Sequence, residues 1–423
     1  MPLNSIAWIG RLTGPKGEIA QRIVNEVAPR FPDIKFTIVG GPENEPMRKA
    51  AGNNVAFLGF VEDVNAVIES HDLVIGAGRV ALEAMRKRVP VIAVGESQYI
   101  GPISEATINQ AKASNFGDCA HPQPWTARQM ADDISRIARG ELSLPLAHYA
   151  EYLRDYAADE VYGKVLEVYR RARIDAYLGR YREIPVLTYH RILQTRPSDS
   201  KFNIYVTVDE LDWQIKNLKQ RGFEFITFNE IADGVQGKKP VILTFDDGYE
   251  DNYQNLLPLL KRHDAKAVIY ALGDRAIRNN RWDMARGEPE APLMNDEQLI
   301  ACHRSGQVEV GSHGMSHRHL PQLTVDEALH EIQESKRSLE NLLGAEIVSF
   351  AYPYGDCGAR ETEQVRQAGY LFGIATVSGP TKMADDLLRV RRITMFPNTK
   401  AAGFFKKTSG WYLRYCKLKG KDF

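Results

Sequence analysis

The chain has 423 residues, of which 54 are Lys or Arg and 54 are Asp or Glu, so its formal net charge is zero. This length predicts two or three domains, and the charge balance argues against a nucleic-acid-binding protein, which would carry a basic excess. The four scattered cysteines fit a reducing compartment. The sequence begins without a signal-peptide pattern and has no apolar stretch of about 18 residues, so we expect a cytoplasmic protein.

The first 145 residues alternate short apolar runs with segments of helical periodicity. Five such runs are followed closely by glycine, at residues 6–9, 36–39, 55–58, 73–75 and 89–94. This alternation predicts a Rossmann-like, doubly wound α/β sheet over residues 1–145. Because glycines at strand ends let the backbone approach a phosphate, we expect a ligand in the crevice at that edge.

Two stretches of this half resemble the C-terminal, donor-binding half of a two-Rossmann (GT-B) glycosyltransferase of the family-four type. The signature Gly-Arg-Leu followed by Lys-Gly occurs at residues 10–17, and a second signature occurs at residues 81–91. The resemblance implies that a nucleotide-sugar binds here. It implies that Arg11 and Lys16 meet the diphosphate and that Glu83 hydrogen-bonds the ribose.

Two features depart from that family. Ile75 stands where the paired-Glu form of the signature has a second Glu, and the chain begins where the acceptor-binding half would already have ended. We therefore expect an acceptor-domain partner in trans, a vestigial or regulatory nucleotide-sugar module, or a truncated reading frame. For Arg11 and Lys16 the alternative is an ordinary solvated turn.

Residues 146–183 are predicted to form a helical linker between the two halves. Apolar residues recur there at steps of three to five, from Tyr149 to Val168, with charged residues between them. This periodicity is typical of an amphipathic helix or pair of helices. We expect the apolar stripe to be packed rather than to bind a ligand.

From residue 184 onward strands again alternate with helices, and titratable side chains follow several of the predicted strands. Asp246 and Asp247 end one apolar run, and His313 and His317 end another. One carboxylate and two imidazoles make a three-ligand set for a divalent metal with a position left for water, and the other aspartate is then free to move a proton. The alternative is a solvated strand end and a solvated helix face. The strands are predicted over residues 185–190, 224–228, 241–246, 266–272, 307–312, 347–352 and 371–376.

This half resembles the polysaccharide deacetylase family, also known as carbohydrate esterase family four. The first family motif, Thr-Phe-Asp-Asp-Gly, occurs in full at residues 244–248, and the second, His-Ser/Thr-x-x-His, occurs at residues 313–317 with Gly314 in place of Ser or Thr. The resemblance implies a distorted, incomplete (β/α)7-type barrel over residues 184–400. It also implies roles for four side chains: metal ligation by Asp247, His313 and His317, and proton abstraction by Asp246.

Two later motifs depart from the family pattern. Ala351 replaces the Arg that usually orients the catalytic Asp, and either Arg391 or Arg392 could substitute for it. The last motif has no His, although the His is the family's usual general acid. One branch of the family begins with a Pro-Val-Leu-x-Tyr-His strand, which occurs here at residues 185–190. We therefore expect His190 to be the acid, the alternative being a His that only caps its strand.

The segment 401–423 is predicted to be a basic, aromatic tail. Its Lys, Arg, Phe, Trp and Tyr residues could attach it to an anionic membrane surface, in which case the protein would lie peripherally on the inner membrane face. A solvated tail is the equal alternative.

Together, the two resemblances predict a metal-dependent carbohydrate deacetylase fused to a partial glycosyltransferase module. The substrate would be an N-acetylated polysaccharide or glycolipid, and the metal would be zinc, cobalt or nickel, because such sites select weakly. The family implies that the backbone N–H of Tyr354 helps to hold the oxyanion. The alternative is a glycosyltransferase or nucleotide-sugar-binding subunit with a weak or silent barrel, which the two motif departures favour.

Overall fold

The chain forms two compact units, Met1–Val165 and Leu166–Phe423. The computed structural model describes residues 3–42, 45–142, 144–181, 183–235, 237–376, 379–397 and 399–419. Across these residues, none of the helices combines the length and apolar character needed to cross a membrane. The domain limits drawn from the sequence, at residues 145, 183 and 400, remain predictions.

The first unit is a six-stranded sheet covered by helices. Its strands are β1 Ser5–Ile9, β2 Lys35–Val39, β3 Val55–Gly59, β4 Leu73–Gly76, β5 Val91–Val94 and β6 Tyr99–Pro102. Its helices are α1 Gly14–Arg22, α2 Glu45–Ala50, α3 Val64–Glu69, α4 Gly78–Arg86, α5 Ile108–Ala113, α6 Ala127–Ala138 and α7 Tyr149–Tyr152. The strand order is β3-β2-β1-β4-β5-β6, parallel except for β6, which confirms the predicted Rossmann-like sheet.

Both faces of this sheet are buried, which explains why its strands read as continuous apolar runs. Along β1, Ile6 and Trp8 belong to one hydrophobic cluster, while Ala7 and Ile9 belong to another. The strand order reverses between β1 and β4, so the carboxyl ends of these two strands border the crevice where ligands of such sheets bind.

The second unit is built around a curled parallel sheet. Its strands are β7 Val186–Tyr189, β8 Arg191–Leu193, β9 Tyr205–Thr207, β10 Glu224–Phe225, β11 Pro240–Phe245, β12 Ala267–Ala271, β13 Val308–Ser312, β14 Ser349–Ala351, β15 Phe372–Ile374 and β16 Ile393–Thr394. The order is β15-β14-β13-β12-β11-β7-β16, with β10 also paired to β11, and β8 and β9 form a separate pair. This sheet agrees with the predicted incomplete barrel.

Helices α8 to α17 follow in the chain, and α8 contains the division between the units. They are α8 Ala158–Leu178, α9 Val208–Gln220, α10 Phe228–Asp233, α11 Leu257–His263, α12 Arg281–Met284, α13 Asp296–Arg304, α14 Val325–Leu343, α15 Ala359–Gln367, α16 Ala401–Lys407 and α17 Tyr412–Leu418. The start of α14 has a capping box, in which Thr324 Oγ1 accepts from the Glu327 N–H and the Glu327 carboxylate accepts from the Thr324 N–H.

The apolar stripe predicted for the linker is only partly packed. Tyr149 is buried in the core of the first unit. Burial in α8 is confined to its last turns, where Ile174, Tyr177 and Leu178 join the core of the second unit. The prediction of a continuously packed stripe is therefore wrong at the earlier positions of α8, because Val161, Val165 and Val168 are exposed.

The C-terminal segment folds against the barrel instead of standing apart as a tail. Phe404 and Leu413 are buried in the main core cluster of the second unit. Arg221 donates hydrogen bonds to the hydroxyl and carbonyl oxygens of Thr408. The expectation of a separate tail is wrong for residues 401–419, because α16 and α17 bury Phe404 and Leu413 in the barrel core, although Phe405, Trp411 and Leu418 are exposed. Lys421 lies outside the described residues, and membrane contact remains a prediction.

Candidate active site

Asp247, His313 and His317 converge at the carboxyl edge of the barrel sheet. Asp247 lies just beyond β11 and His313 directly follows β13, so the parallel sheet brings both to one edge. The Oδ1 atom of Asp247 lies 3.3 Å from His313 Nε2 and 3.2 Å from His317 Nε2. All three side chains are buried, which excludes the alternative of a solvated strand end and helix face.

These three donor atoms fit a divalent metal. A hydrogen bond from Nδ1 of His313 to the Ala351 carbonyl, at 2.8 Å, leaves the Nε2 lone pair to face Asp247. Ligands about 2.0–2.1 Å from a tetrahedral zinc ion lie about 3.3 Å apart; the two separations from Asp247 Oδ1 match that value, and all three donor atoms lie within 4.8 Å of one another. Buried acceptors packed this closely repel one another unless a proton on the imidazoles or a metal cation lies among them.

Asp247 is suited to ligation by its charge. Burial works to raise the pKa of its carboxyl group, but the contacts with His313 and His317 outweigh burial and hold the pKa well below the usual value. The carboxylate is therefore ionised at neutral pH, as a metal ligand must be.

Three of the predicted site residues have left-handed backbone conformations. The φ angles are 72° at Asp247, 60° at His317 and 61° at Tyr354. Such angles are uncommon outside glycine and cost on the order of 1–3 kcal/mol each. Their concentration in one site is typical of functional residues held in place by the surrounding fold.

A buried carboxylate fixes the loop that carries both histidines. Glu331 on α14 accepts hydrogen bonds from the Ser316 N–H at 2.9 Å and from the Ser316 hydroxyl at 2.5 Å. Gly314 has a φ of 76°, and a Cβ atom there would lie 3.3 Å from the Glu331 carboxylate. This close approach explains why glycine replaces the Ser or Thr of the family motif.

Asp246 is held by Arg392 and not by a residue of the third motif. The Nη1 and Nη2 atoms of Arg392 donate to the two carboxylate oxygens of Asp246 at 2.6 and 2.7 Å. Arg392 also donates from Nε to the Ala375 carbonyl, and its side chain is fully buried. Burial raises the pKa of Asp246, but the Arg392 charge outweighs it, so the pKa is lowered. Of the two arginines that the sequence left open, Arg392 makes this contact.

His190 and Tyr354 border the same cavity as the aspartates and histidines. This cavity has a volume of about 270 Å³. His190 follows β7, the strand next to β11, which explains its position beside Asp246 and Asp247. The ring of Tyr354 packs edge-on against His317, with centroids 4.7 Å apart.

The sequence reasoning missed Trp282, which packs behind His317, and Asp283, which lines the cavity. The Trp282 ring stacks on His317 with centroids 4.3 Å apart and an interplanar angle of 12°. Asp283 lines the cavity, and its pKa is raised to about 6 by burial and by the negative charge of Asp247. Both residues belong to the four-residue helix α12, which carries no recognised motif and reaches the site only through the tertiary fold.

Each of the three candidate nucleotide-binding residues of the first unit forms an ion pair with an oppositely charged side chain. The Arg11 side chain is 71% exposed and lies 2.7 Å from a carboxylate oxygen of Glu96. Lys16 lies 2.8 Å from a carboxylate oxygen of Asp118, and Glu83 accepts from Arg79 at 2.6 Å. A diphosphate at this crevice would have to replace carboxylates as the partners of Arg11 and Lys16.

The glycine after β2 has a packing role at this crevice. Gly40 has a φ of 129°, and a Cβ atom there would lie 1.9 Å from the carbonyl oxygen of Gly10. The loops that follow β1 and β2 can touch only because residue 40 has no side chain. This close packing is enough to explain the glycine at position 40, so Gly40 is not evidence for a phosphate-binding site.

Comparison with known proteins gives a family for each unit. Residues 233–373 match the family model for polysaccharide deacetylase, and residues 4–118 match the model for group 1 glycosyl transferases. The chain therefore contains a polysaccharide deacetylase domain joined to a group 1 glycosyltransferase domain, which confirms both predicted resemblances.

Individual relatives cover different parts of the chain. "Putative polysaccharide deacetylase YxkH" of Bacillus subtilis (strain 168) is 26% identical over 227 residues, which are 52% of this chain and 75% of that protein. Peptidoglycan-N-acetylglucosamine deacetylase PgdA of Listeria monocytogenes serotype 1/2a (strain 10403S) is 27% identical over 128 residues, 30% of this chain and only 24% of that protein. The solved Streptococcus pyogenes deacetylase PplD in complex with acetate is 26% identical, with a TM-score of 0.47 over 54% of this chain and 98% of that one.

Proposed function

We propose that the second unit is a metal-dependent deacetylase that hydrolyses the N-acetyl group of a sugar in a polysaccharide or glycolipid. The convergence of Asp247, His313 and His317 beside Asp246 in one cavity carries this proposal. The first three residues would hold a divalent ion, for which zinc is well suited and cobalt or nickel acceptable. Such an ion supplies Lewis-acid polarisation of the acetyl carbonyl and lowers the pKa of a bound water.

The remaining groups would move the protons of the reaction. Asp246 takes a proton from the attacking water while the water oxygen bonds to the acetyl carbon. The charge of Arg392 supports this role, because it keeps Asp246 ionised and correctly oriented. When the carbon–nitrogen bond breaks, the imidazolium of His190 gives its proton to the leaving amine, so the products are acetate and a free amine.

Two further groups would position the reacting atoms. The backbone N–H of Tyr354 would donate a hydrogen bond to the oxyanion that develops on the acetyl oxygen. The stacked ring of Trp282 would hold the imidazole of His317 in one orientation. Trp282 is therefore a positioning residue in this scheme, not a catalytic one.

The alternative, a barrel without deacetylase activity, rested on two motif departures: the missing Arg at position 351 and the missing late His. The first of these arguments no longer holds. That alternative drew on the Ala351 substitution, which would leave the base without a partner, but Arg392 makes the bidentate contact with Asp246. For the first unit, we propose binding of a nucleoside-diphosphate sugar through Arg11, Lys16 and Glu83. The match of residues 4–118 to group 1 glycosyl transferases supports it.

Acetate release from N-acetylglucosamine oligomers by the purified, metal-loaded full chain tests the deacetylase proposal. Released acetate and new free amines should appear in equal amounts. Asp246→Asn should keep its metal but lose acetate release, because an amide cannot accept the water's proton. Failure of the wild type on every N-acetylated sugar in a panel, or a wild-type rate with Asp246→Asn, would contradict the proposal.

A further inference from the structure

A second, larger cavity adjoins the candidate active site within the second unit. Its volume is about 690 Å³, and it shares Tyr354 and Thr376 with the catalytic cavity. Residues of α16 and α17 form part of its wall. This volume lies in the usual range of about 300–1,000 Å³ for small-molecule sites. A ligand that occupied both cavities would pass the Tyr354 ring.

Much of the wall of the second cavity is apolar. Ile393 and Phe396 line it from the region of β16, and Leu413 and Cys416 line it from α17. Its polar lining residues are Asp356, Thr376, Arg391, Arg392, Thr394 and Lys407. Along the apolar part of the wall, a sugar would leave hydroxyl groups without hydrogen-bond partners, which is costly. A hydrocarbon chain would instead gain about 0.8 kcal/mol for each buried CH₂ group. The apolar part of the wall, formed by Ile393, Phe396, Leu413 and Cys416, therefore favours a lipid chain over further sugar units of a polysaccharide.

One cation on this wall lacks a carboxylate partner. Lys407 Nζ donates to the Thr394 carbonyl at 2.7 Å and lies 5.5 Å from the centre of the Phe396 ring. Both contacts are uncharged, and within the described parts of the chain no carboxylate comes within ion-pair distance of Lys407 Nζ. Burial lowers the pKa of this lysine. An anionic group at the same place would compensate the charge, and lysine is a common partner of phosphate.

We propose that the second cavity binds the lipid chain of an N-acetylated glycolipid whose sugar is joined to that chain through a phosphate contacting Lys407. The proposal rests on the deacetylase function, because it names the substrate class of that same site. The sugar would lie in the catalytic cavity, and the chain would extend beyond Tyr354 between β16 and the C-terminal helices. Only the acetyl amide is hydrolysed, and the phosphate linkage stays intact.

Three synthetic substrates separate the parts of this proposal. They are N-acetylglucosamine 1-phosphate esterified with farnesol, the same sugar phosphate esterified with methanol, and the methyl glycoside without phosphate. The full chain should show a kcat/KM for acetate release at least tenfold higher with the farnesyl ester than with the methyl ester. Lys407→Met should lower kcat/KM for the methyl ester about tenfold while leaving the methyl glycoside unchanged.

Lys406→Met is the matched control. Lys406 neighbours Lys407 but lies over the Tyr415 ring, 3.8 Å from its centre, and does not line the cavity. Its substitution should leave all three substrates within about twofold of the wild type. An equal loss in both variants would refute the assignment of the phosphate to Lys407.

Calorimetry with farnesyl phosphate measures binding to the second cavity independently of catalysis. If no substrate releases acetate, yet farnesyl phosphate binds and Lys407→Met weakens it about tenfold, the deacetylase proposal fails and the lipid-phosphate site stands. Equal kcat/KM values for the farnesyl and methyl esters, together with no heat from farnesyl phosphate, would overturn the lipid-phosphate site. A higher kcat/KM for an N-acetylglucosamine oligomer or for uridine diphosphate N-acetylglucosamine than for the farnesyl ester would also overturn it.

Discussion

The two main sheets of this chain present very different side chains at the carboxyl ends of their parallel strands. In the barrel, Asp247, His313 and His317 are buried and turn their acceptor atoms toward one point. In the first unit, Arg11 is largely exposed, and it and Lys16 are already neutralised by carboxylates. The exposed Arg11–Glu96 pair contributes only about 0–1 kcal/mol, and the partly buried Lys16–Asp118 pair is already complete without a ligand, so neither pair indicates a function. Buried acceptors facing one another are costly, and they indicate a ligand.

After the loss of acetate release expected for Asp246→Asn, the largest effect on the barrel side should come from His190. His190→Ala should lower kcat for acetate release by about 10²–10⁴, the usual contribution of a general acid, and should leave the bound metal in place. His263→Ala is the matched control, because His263 pairs with Asp212 at 2.8 Å and does not line the catalytic cavity. Steady-state kinetics with metal analysis checks both variants. An unchanged kcat for His190→Ala would show that the proton donor lies elsewhere.

A smaller effect is expected from loosening the contact with Asp246. Arg392→Lys keeps the charge but cannot form the two parallel hydrogen bonds, so kcat should fall about 10–100-fold with KM and metal content little changed. Arg389→Lys provides the control, because Arg389 pairs with Asp386 in a half-exposed site. If KM rose while kcat stayed constant, Arg392 would serve substrate binding and not the orientation of the base.

The smallest effect is expected in the first unit. Lys16→Ala should weaken binding of a uridine or guanosine diphosphate by about tenfold, because phosphate must displace Asp118 and recovers only part of the value of a charge-assisted hydrogen bond. Acetate release should be unaffected. Calorimetry on the full chain, with Lys112→Ala as control because Lys112 pairs with Asp155, tests this. If neither nucleotide gives heat at millimolar concentration, the first unit has no nucleotide site and the prediction is wrong.

Local patterns allowed much of the fold to be predicted, and tertiary contacts explain what was missed. The apolar run at 241–246 predicted a strand that the structure places at Pro240–Phe245. The capping box at Thr324 is also a local feature, because its partner is three residues away. The two residues of β16 carry no periodicity, so the strand was missed. The contact of Arg392 with Asp246, 146 residues away in the chain, has no local signal that separates it from Arg391.

The C-terminal helices are a further case in which local sequence patterns did not predict the structure. Their basic and aromatic residues suggested a tail, because short amphipathic helices have too few turns for a clear period. Burial of Phe404 depends on the barrel core that receives it.

In the candidate active site, the Asp and His motifs were visible in the sequence because metal ligation demands particular residue types. Trp282 and Asp283 were not, because packing and electrostatic roles can be met by many residues.

Metal content of the purified full chain tests the central claim most directly. After equilibration with zinc and removal of free ions, elemental analysis should find one tightly bound ion per wild-type chain. Asp247→Ala, His313→Ala and His317→Ala should each lose most of it, because a three-ligand site rarely tolerates the loss of one ligand. Asp246→Asn should retain it. A wild-type chain that binds no divalent ion, or an Asp247→Ala variant that binds as much as the wild type, would contradict the account.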